Sequence, residues 1–173
     1  EKFDFSIPQG NIGEAWVIAA HDNGSSKITN GELAGLTLKE AYEKQPTLFT
    51  EKVYDKFPLL IKILDASDNL SVQVHPEDDH ARENENGELG KTECWYVLDA
   101  KEGAKLVYGH TAKTKEEFND KINREQWQEL FIEEEVKAGD FFYIPAGTLH
   151  AIGEGILIYE VQQNSDTTYR VYD

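Results

Sequence analysis

Apolar and polar positions alternate in short runs along most of the chain, the period-2 signature of strands that bury one face. Such runs lie at Ala15–Ala20, Leu59–Leu64, Leu70–His75, Thr92–Leu98, Lys105–Tyr108, Asp140–Ile144 and Ile156–Gln163. Each is rich in Val, Ile, Tyr, Phe or Trp and bounded by Gly, Pro, Asn or Asp, so each is predicted to be a strand. The spacing turns helical twice. Thr37–Tyr42 carries Leu38, Ala41 and Tyr42, and Lys113–Leu130 carries Phe118, Ile122, Trp127 and Leu130 near one face. Thr114 and Glu117 form a capping-box pair at the start of the second helix, which is predicted to pack on the surface rather than to bind a partner. Pro76–Lys91 is acidic and aperiodic, a long loop that is either functional or simply solvated. Many short strands with helical excursions near 37–45 and 113–131 predict a mainly β fold, a barrel or sandwich with short helical insertions.

The 173 residues suit a single domain, 1–173, large enough to fold without a disulfide or a metal. Seventeen basic residues against 33 acidic ones leave a net charge of −16, which excludes a nucleic-acid binder. Any anionic small molecule must then be held by a few well-placed cations against the overall field. The longest apolar run, Phe57–Ile61, stops at Lys62, far short of the roughly 18 residues a membrane span needs. The single Cys94 excludes an internal disulfide and fits a reducing cytoplasm. With Glu at position 1 and no Met anywhere, the chain is expected to be a processed or trimmed product.

Three runs carry chemistry. In Ser71-Val-Gln-Val-His-Pro76, strand alternation puts Ser71, Gln73 and His75 on one face and Val72 and Val74 on the other. That is either a cavity-lining wall or an edge strand facing water. Glu93 shares a face with Trp95 and Val97, where a carboxylate needs a cation or metal unless it sits at a wet strand end. Cys94 points the other way and reads as a small core residue. Gly139–His150 describes a strand, a Pro-x-Gly turn and a histidine delivered at the start of the next strand. Together His75, Glu93 and His150 supply the two imidazoles and one carboxylate of a catalytic zinc site, provided a fold brings them together.

The Gly139–His150 run resembles the second motif of the cupin superfamily, β-barrels that hold a metal on inward His and Glu. Five runs taken in order resemble type I mannose-6-phosphate isomerase: Phe57–Leu64, Leu70–Asp78, Gly90–Glu93, Ile144–Ala151 and Gln163–Arg170. The likeness extends from about Gly13 to Asp173. It implies a cupin-type double-stranded β-helix, or jelly-roll barrel. It also implies one Zn2+ per chain on His75, Glu93 and His150, with Gln73 as a further ligand. Lys62 and Ser71 fall on positions that hold a substrate phosphate, and Arg170, Glu160 and Lys91 on active-site positions, Glu160 being the candidate base. Glu lies 18 positions beyond His75, and no Asn follows His150 at the usual cupin distance; both features favour the isomerases over cupins at large. The implied reaction interconverts mannose 6-phosphate and fructose 6-phosphate through an enediol(ate), in the cytoplasm. The alternatives are a metal-bound cupin that binds a sugar phosphate without turnover, and an inactive folded fragment. Family members also carry a Trp-Gly-Gly segment before the position of Glu1 and a second cupin-like domain after that of Asp173, and neither is expected in this chain. His21, His80 and His110 are expected to be surface or structural, and Trp16, Trp95 and Trp127 to pack in the core or against helices.

Overall fold

The computed structural model describes residues 13–173. Its strands are β1 (Glu14–Ile18), β2 (Ala20–His21), β3 (Gly24–Ser25), β4 (Leu59–Ala66), β5 (Val72–Val74), β6 (Glu93–Ala100), β7 (Lys105–His110), β8 (Phe131–Glu135), β9 (Phe141–Ile144), β10 (His150–Ala151), β11 (Ile156–Gln163) and β12 (Tyr169–Tyr172). Its helices are α1 (Leu38–Lys44), α2 (Asp78–Asn84), α3 (Lys115–Asn123) and α4 (Trp127–Leu130), with one 3-10 turn at Pro46–Leu48. Two five-stranded sheets, ordered β1-β4-β11-β6-β9 and β12-β5-β10-β7-β8, make the body, and β2-β3 form a small ribbon. The pairings with recorded register are antiparallel. This is the cupin-type jelly roll.

Alternation decides what each sheet buries. Leu60, Lys62, Leu64 and Ala66 of β4 face inward, as do Glu93, Trp95 and Val97 of β6 and Ile156, Ile158, Glu160 and Gln162 of β11. The main apolar cluster joins both sheets through Leu64, Trp95, Val97, Leu106, Ile144, Ile152, Ile156 and Ile158. A smaller cluster behind the second sheet packs Val72, Leu149 and Ala151 against Phe118, Phe131 and Val171. One end of the barrel interior is therefore apolar. The other is lined by the ionisable and amide side chains that the same alternation turns inward.

Four expectations about elements are corrected. Lys113–Leu130 is two helices, not one, because the chain turns at Glu125, whose φ is +57°. The Thr114 hydroxyl caps α3 through Glu117 N–H at 3.1 Å, but the Glu117 carboxylate accepts from Lys113 N–H. A complete capping box stands at α1 instead, where Thr37 and Glu40 exchange both bonds. Pro76–Lys91 is not a plain loop: it contains α2, whose one buried side chain, Ala81, gives too little periodicity to recognise. The run Ala15–Ala20 is split between β1 and β2 at Ala19. No helix among the described residues is long and apolar enough to cross a membrane.

Candidate active site

Backbone contacts gather the polar end of the barrel. β5 delivers His75, whose carbonyl accepts the Gly147 N–H at 2.8 Å, tying the Pro145–Gly147 turn to the strand end. Lys91 N–H donates to the Pro76 carbonyl at 3.0 Å. That approach requires Gly90, because a Cβ there would lie 2.5 Å from Asp78 N. Asp78 Oδ1 accepts both Gly90 N–H at 2.8 Å and the Gln163 amide at 3.0 Å. Residues 16 positions apart, His75 and Lys91, so become neighbours, with Lys91 Nζ 3.0 Å from His75 Nε2. β6 brings Glu93 directly opposite Gln162 of β11.

Both histidines are aimed through their Nδ1 atoms. His75 Nδ1 donates to the Thr167 carbonyl at 3.1 Å, and His150 Nδ1 to the Thr148 carbonyl at 2.8 Å. A neutral ring with its proton on Nδ1 leaves Nε2 a bare acceptor. The two Nε2 atoms lie 3.1 Å apart. Glu93 Oε1 is 3.2 Å from His150 Nε2, and Oε2 is 3.5 Å from His75 Nε2. Both Glu93 oxygens are buried and accept no hydrogen bond from the described residues. Burial holds the His75 imidazole below its usual range, so this ring stays a neutral donor of electron pairs. Burial opposes ionisation of Glu93, and the Lys91 ammonium, 3.4 Å from Oε2, favours it.

Three acceptor-bearing side chains converge within 4.8 Å of one another, all buried, and their mutual repulsion is met by Lys91 only at His75 and Glu93, leaving His150 Nε2 facing them without a cation of its own. Two imidazole nitrogens and a carboxylate are the donor set of a catalytic metal centre, and these residues fit one. Gln73 of β5 lies opposite both His150 of β10 and Arg170 of β12, so the three share the inward face of the second sheet. Ser71 is half-buried just before β5. Arg170 is exposed and forms no ion pair with the described residues.

One layer deeper, Lys62, Glu160 and Trp95 stand opposite one another on β4, β11 and β6. The Trp95 indole N–H donates to Glu160 Oε2 at 2.7 Å, and Lys62 Nζ lies 3.9 Å from Oε1. Burial, reinforced by the Glu93 charge, pushes the Glu160 carboxyl up to about 7. Its folded-state affinity for a proton exceeds the unfolded one. Its contribution to stability is therefore fully present below the unfolded value near 4.5 and is lost as pH rises through about 7. Glu160→Gln is accordingly expected to gain about 3 kcal/mol over wild type at pH 8 and nothing at pH 4, read as the difference in urea midpoints. An unchanged difference across that range contradicts the assignment.

Of the residues read from the sequence, the structure brings His75, Glu93, His150 and Lys91 together, and sets Lys62 beside Glu160. The structure leaves Arg170 and Ser71, both expected in the site, without a contact to the cluster among the described residues. Sequence reasoning treats Trp95 as core packing alone, and treats Trp16 likewise, whereas Trp16 is half-buried with its ring 5.2 Å from Lys62 Nζ. It misses the Thr167 and Thr148 carbonyls, for which no side-chain signal exists. Gln162, which donates to the Ser165 carbonyl and so braces the turn leading to Thr167, was legible by alternation with Glu160. His21 is buried, His80 meets Tyr169 edge-on and His110 meets Phe118, all outside the cluster. A cleft of about 230 Å³ lined by His21, Lys39, Tyr42 and Asn164 contains none of the cluster residues.

Residues 1–98 match the family model of the type I phosphomannose isomerase catalytic domain. The chain belongs to this family. It is 56% identical over 171 residues, 99% of its length, to mannose-6-phosphate isomerase ManA of Bacillus subtilis, covering 54% of that protein. It is also 56% identical over its whole length to a mannose-6-phosphate isomerase of Streptococcus mutans, again covering 54% of the relative. The crystal structure of the mannose 6-phosphate isomerase from Bacillus subtilis superposes with a TM-score of 0.95 at 51% identity, over 98% of this chain and 54% of that one. The chain thus spans about half the length of the curated relatives it matches. In this type I phosphomannose isomerase chain, the buried His–Glu–His cluster stands at the polar end of the jelly roll rather than on its surface.

Proposed function

We infer that this protein is a zinc-dependent aldose–ketose isomerase that interconverts mannose 6-phosphate and fructose 6-phosphate in the cytoplasm. The observation that carries the reading is the buried convergence of two imidazole Nε2 atoms and a carboxylate that accepts no hydrogen bond from the described residues, in a chain of this family. A zinc ion held by His75, Glu93 and His150, with Gln73 as a further ligand, supplies a Lewis acid for the carbonyl and hydroxyl oxygens of the sugar.

The remaining chemistry belongs to side chains. The open-chain aldose gives up its C2 proton, passes through an enediol(ate) and regains a proton at C1. Glu160, raised to about 7 by burial, is poised to take and return a proton near neutrality, and its Trp95 bond fixes the carboxyl for that role. Lys91 places an ammonium against His75 and Glu93, where it favours negative charge developing on the substrate. Arg170 offers a guanidinium with no ion pair among the described residues, on the face it shares with Gln73, suited to the charged intermediate or to anchoring substrate. Lys62 and Ser71 hold the phosphate.

A coupled assay of mannose 6-phosphate conversion tests this, run on the protein as purified, after chelation and after zinc is restored. Activity that disappears and returns with zinc is expected. Stoichiometric zinc without turnover would make the protein a sugar-phosphate binder instead.

A further inference from the structure

The Lys62 ammonium lies between two carboxylates of unequal freedom. Nζ is 3.7 Å from Glu14 Oε1 and 3.9 Å from Glu160 Oε1. The Glu160 side chain is only 5% exposed and is bonded to Trp95, so it cannot leave without opening the core. The Glu14 side chain is 42% exposed on edge strand β1, and its other recorded partner is the Trp16 indole N–H. Trp16 stands directly opposite Lys62, and Glu14, two residues earlier, shares its face. The lysine is thus closed off on its wet side by a carboxylate that can swing into water.

We propose that Glu14 is the displaceable counter-ion of Lys62, neutralising the ammonium until a substrate phosphate takes its place, and so sets the affinity and selectivity of the phosphate subsite. The proposal rests on the reading of Lys62 as a phosphate holder. A buried ammonium without a partner is costly, and Glu14 offsets that cost in the substrate-free protein. A half-exposed carboxylate is a weak enough partner to give way. A phosphate dianion brings two charges against one and more acceptor oxygens, so it displaces Glu14 where a monoanion or an uncharged sugar does not. The Trp16 indole N–H, released as the carboxylate leaves, becomes a second donor at the same place. In a chain of net charge −16, such an exchange admits phosphate to a lysine that the overall field would otherwise screen from it.

The test is calorimetric titration with inorganic phosphate at fixed ionic strength, on wild type, Glu14→Gln, Lys62→Gln and the double variant. Glu14→Gln keeps the size of the side chain and an acceptor for Trp16. It is expected to tighten phosphate binding roughly three- to tenfold, with most of that gain gone in the Lys62→Gln background. Lowered KM for mannose 6-phosphate should accompany it, a direction that mere loss of a structural contact would not produce. Phosphate binding to Lys62→Gln as tight as to wild type would overturn the subsite itself. Weak binding to Lys62→Gln with no tightening in Glu14→Gln would overturn the counter-ion role and leave the subsite standing. Equal tightening with and without Lys62 would reduce Glu14 to a general charge effect and also overturn it. If Lys62→Gln does not fold, Lys62→Met supplies the same comparison.

Discussion

His150→Ala is expected to lose bound zinc on dialysis and to lower mannose 6-phosphate turnover by about 10³-fold or more, the several kcal/mol a Lewis acid contributes to such a barrier. The size follows from the geometry. His150 is fully buried, its Nε2 stands within 3.2 Å of both His75 Nε2 and Glu93 Oε1, and its Nδ1 is fixed by the Thr148 carbonyl. Removing it leaves one imidazole and one carboxylate beside the weakly donating Gln73 amide, and no other His, Cys, Asp or Glu among the described residues completes the cluster. The ring also packs edge-on against Trp95, with centroids 5.3 Å apart, so alanine opens a cavity costing about 2–4 kcal/mol of stability. His150→Gln fills more of that space and separates the two effects. Metal analysis and circular dichroism together check the prediction: a folded variant without zinc or activity supports the centre, and a variant that keeps both sinks it.

Much of this fold is legible in the residues because alternation is a local signal. β11 matches Ile156–Gln163 at both ends, and β4 begins at Leu59 as read, its Lys62 already anomalous among apolar neighbours. What escapes is structure whose cause lies elsewhere in the chain. β8 is Phe-Ile-Glu-Glu-Glu, a poor strand by composition, and it exists because β7 offers an edge to pair with; its glutamates are tolerated in water and guard that edge. β10 and β12 are too short for periodicity and are set by their shared partner β5. α2 forms where Gly90 lets the chain close back on Pro76, a contact that no spacing within Pro76–Lys91 announces.

The site divides the same way. Glu93 and Glu160 betray themselves by sharing a face with Trp, Val and Ile, and His75 by sharing one with Ser71 and Gln73; the structure supplies the burial that makes those placements consequential. The pairing of Lys62 with Glu14 was not legible, because register between β1 and β4 cannot be read from either strand alone. Nor were the carbonyls that aim the two imidazoles. Those belong to turns, and turn geometry is fixed by the bonds of Gln162, Ser165 and Thr167 rather than by any motif of chemical groups.

Arg170→Ala is expected to cut turnover by about 10²–10³-fold, the range seen when one preorganised donor to developing charge is removed, while zinc content and stability stay at wild-type levels. The other two arginines are occupied locally: Arg82 pairs with Asp79 at 3.1 Å and Arg124 with Asp120 at 3.0 Å. Arg170 instead stands on an edge strand opposite Gln73, exposed, with Val171 on the other face packed into the smaller apolar cluster. The strand is held by Val171 and by pairing with β5, so truncating Arg170 removes charge without removing packing, and a stability change beyond about 0.5 kcal/mol is not expected. Arg170→Lys should recover only part of the rate, since an ammonium keeps the charge but loses the planar fork that meets two oxygens at once. Single-turnover rates, zinc content and thermal midpoints of the two variants beside Arg82→Ala decide the matter. Loss of zinc together with activity in Arg170→Ala would make the residue part of the scaffold of the metal centre, and a rate equal to that of Arg82→Ala would remove it from the site altogether.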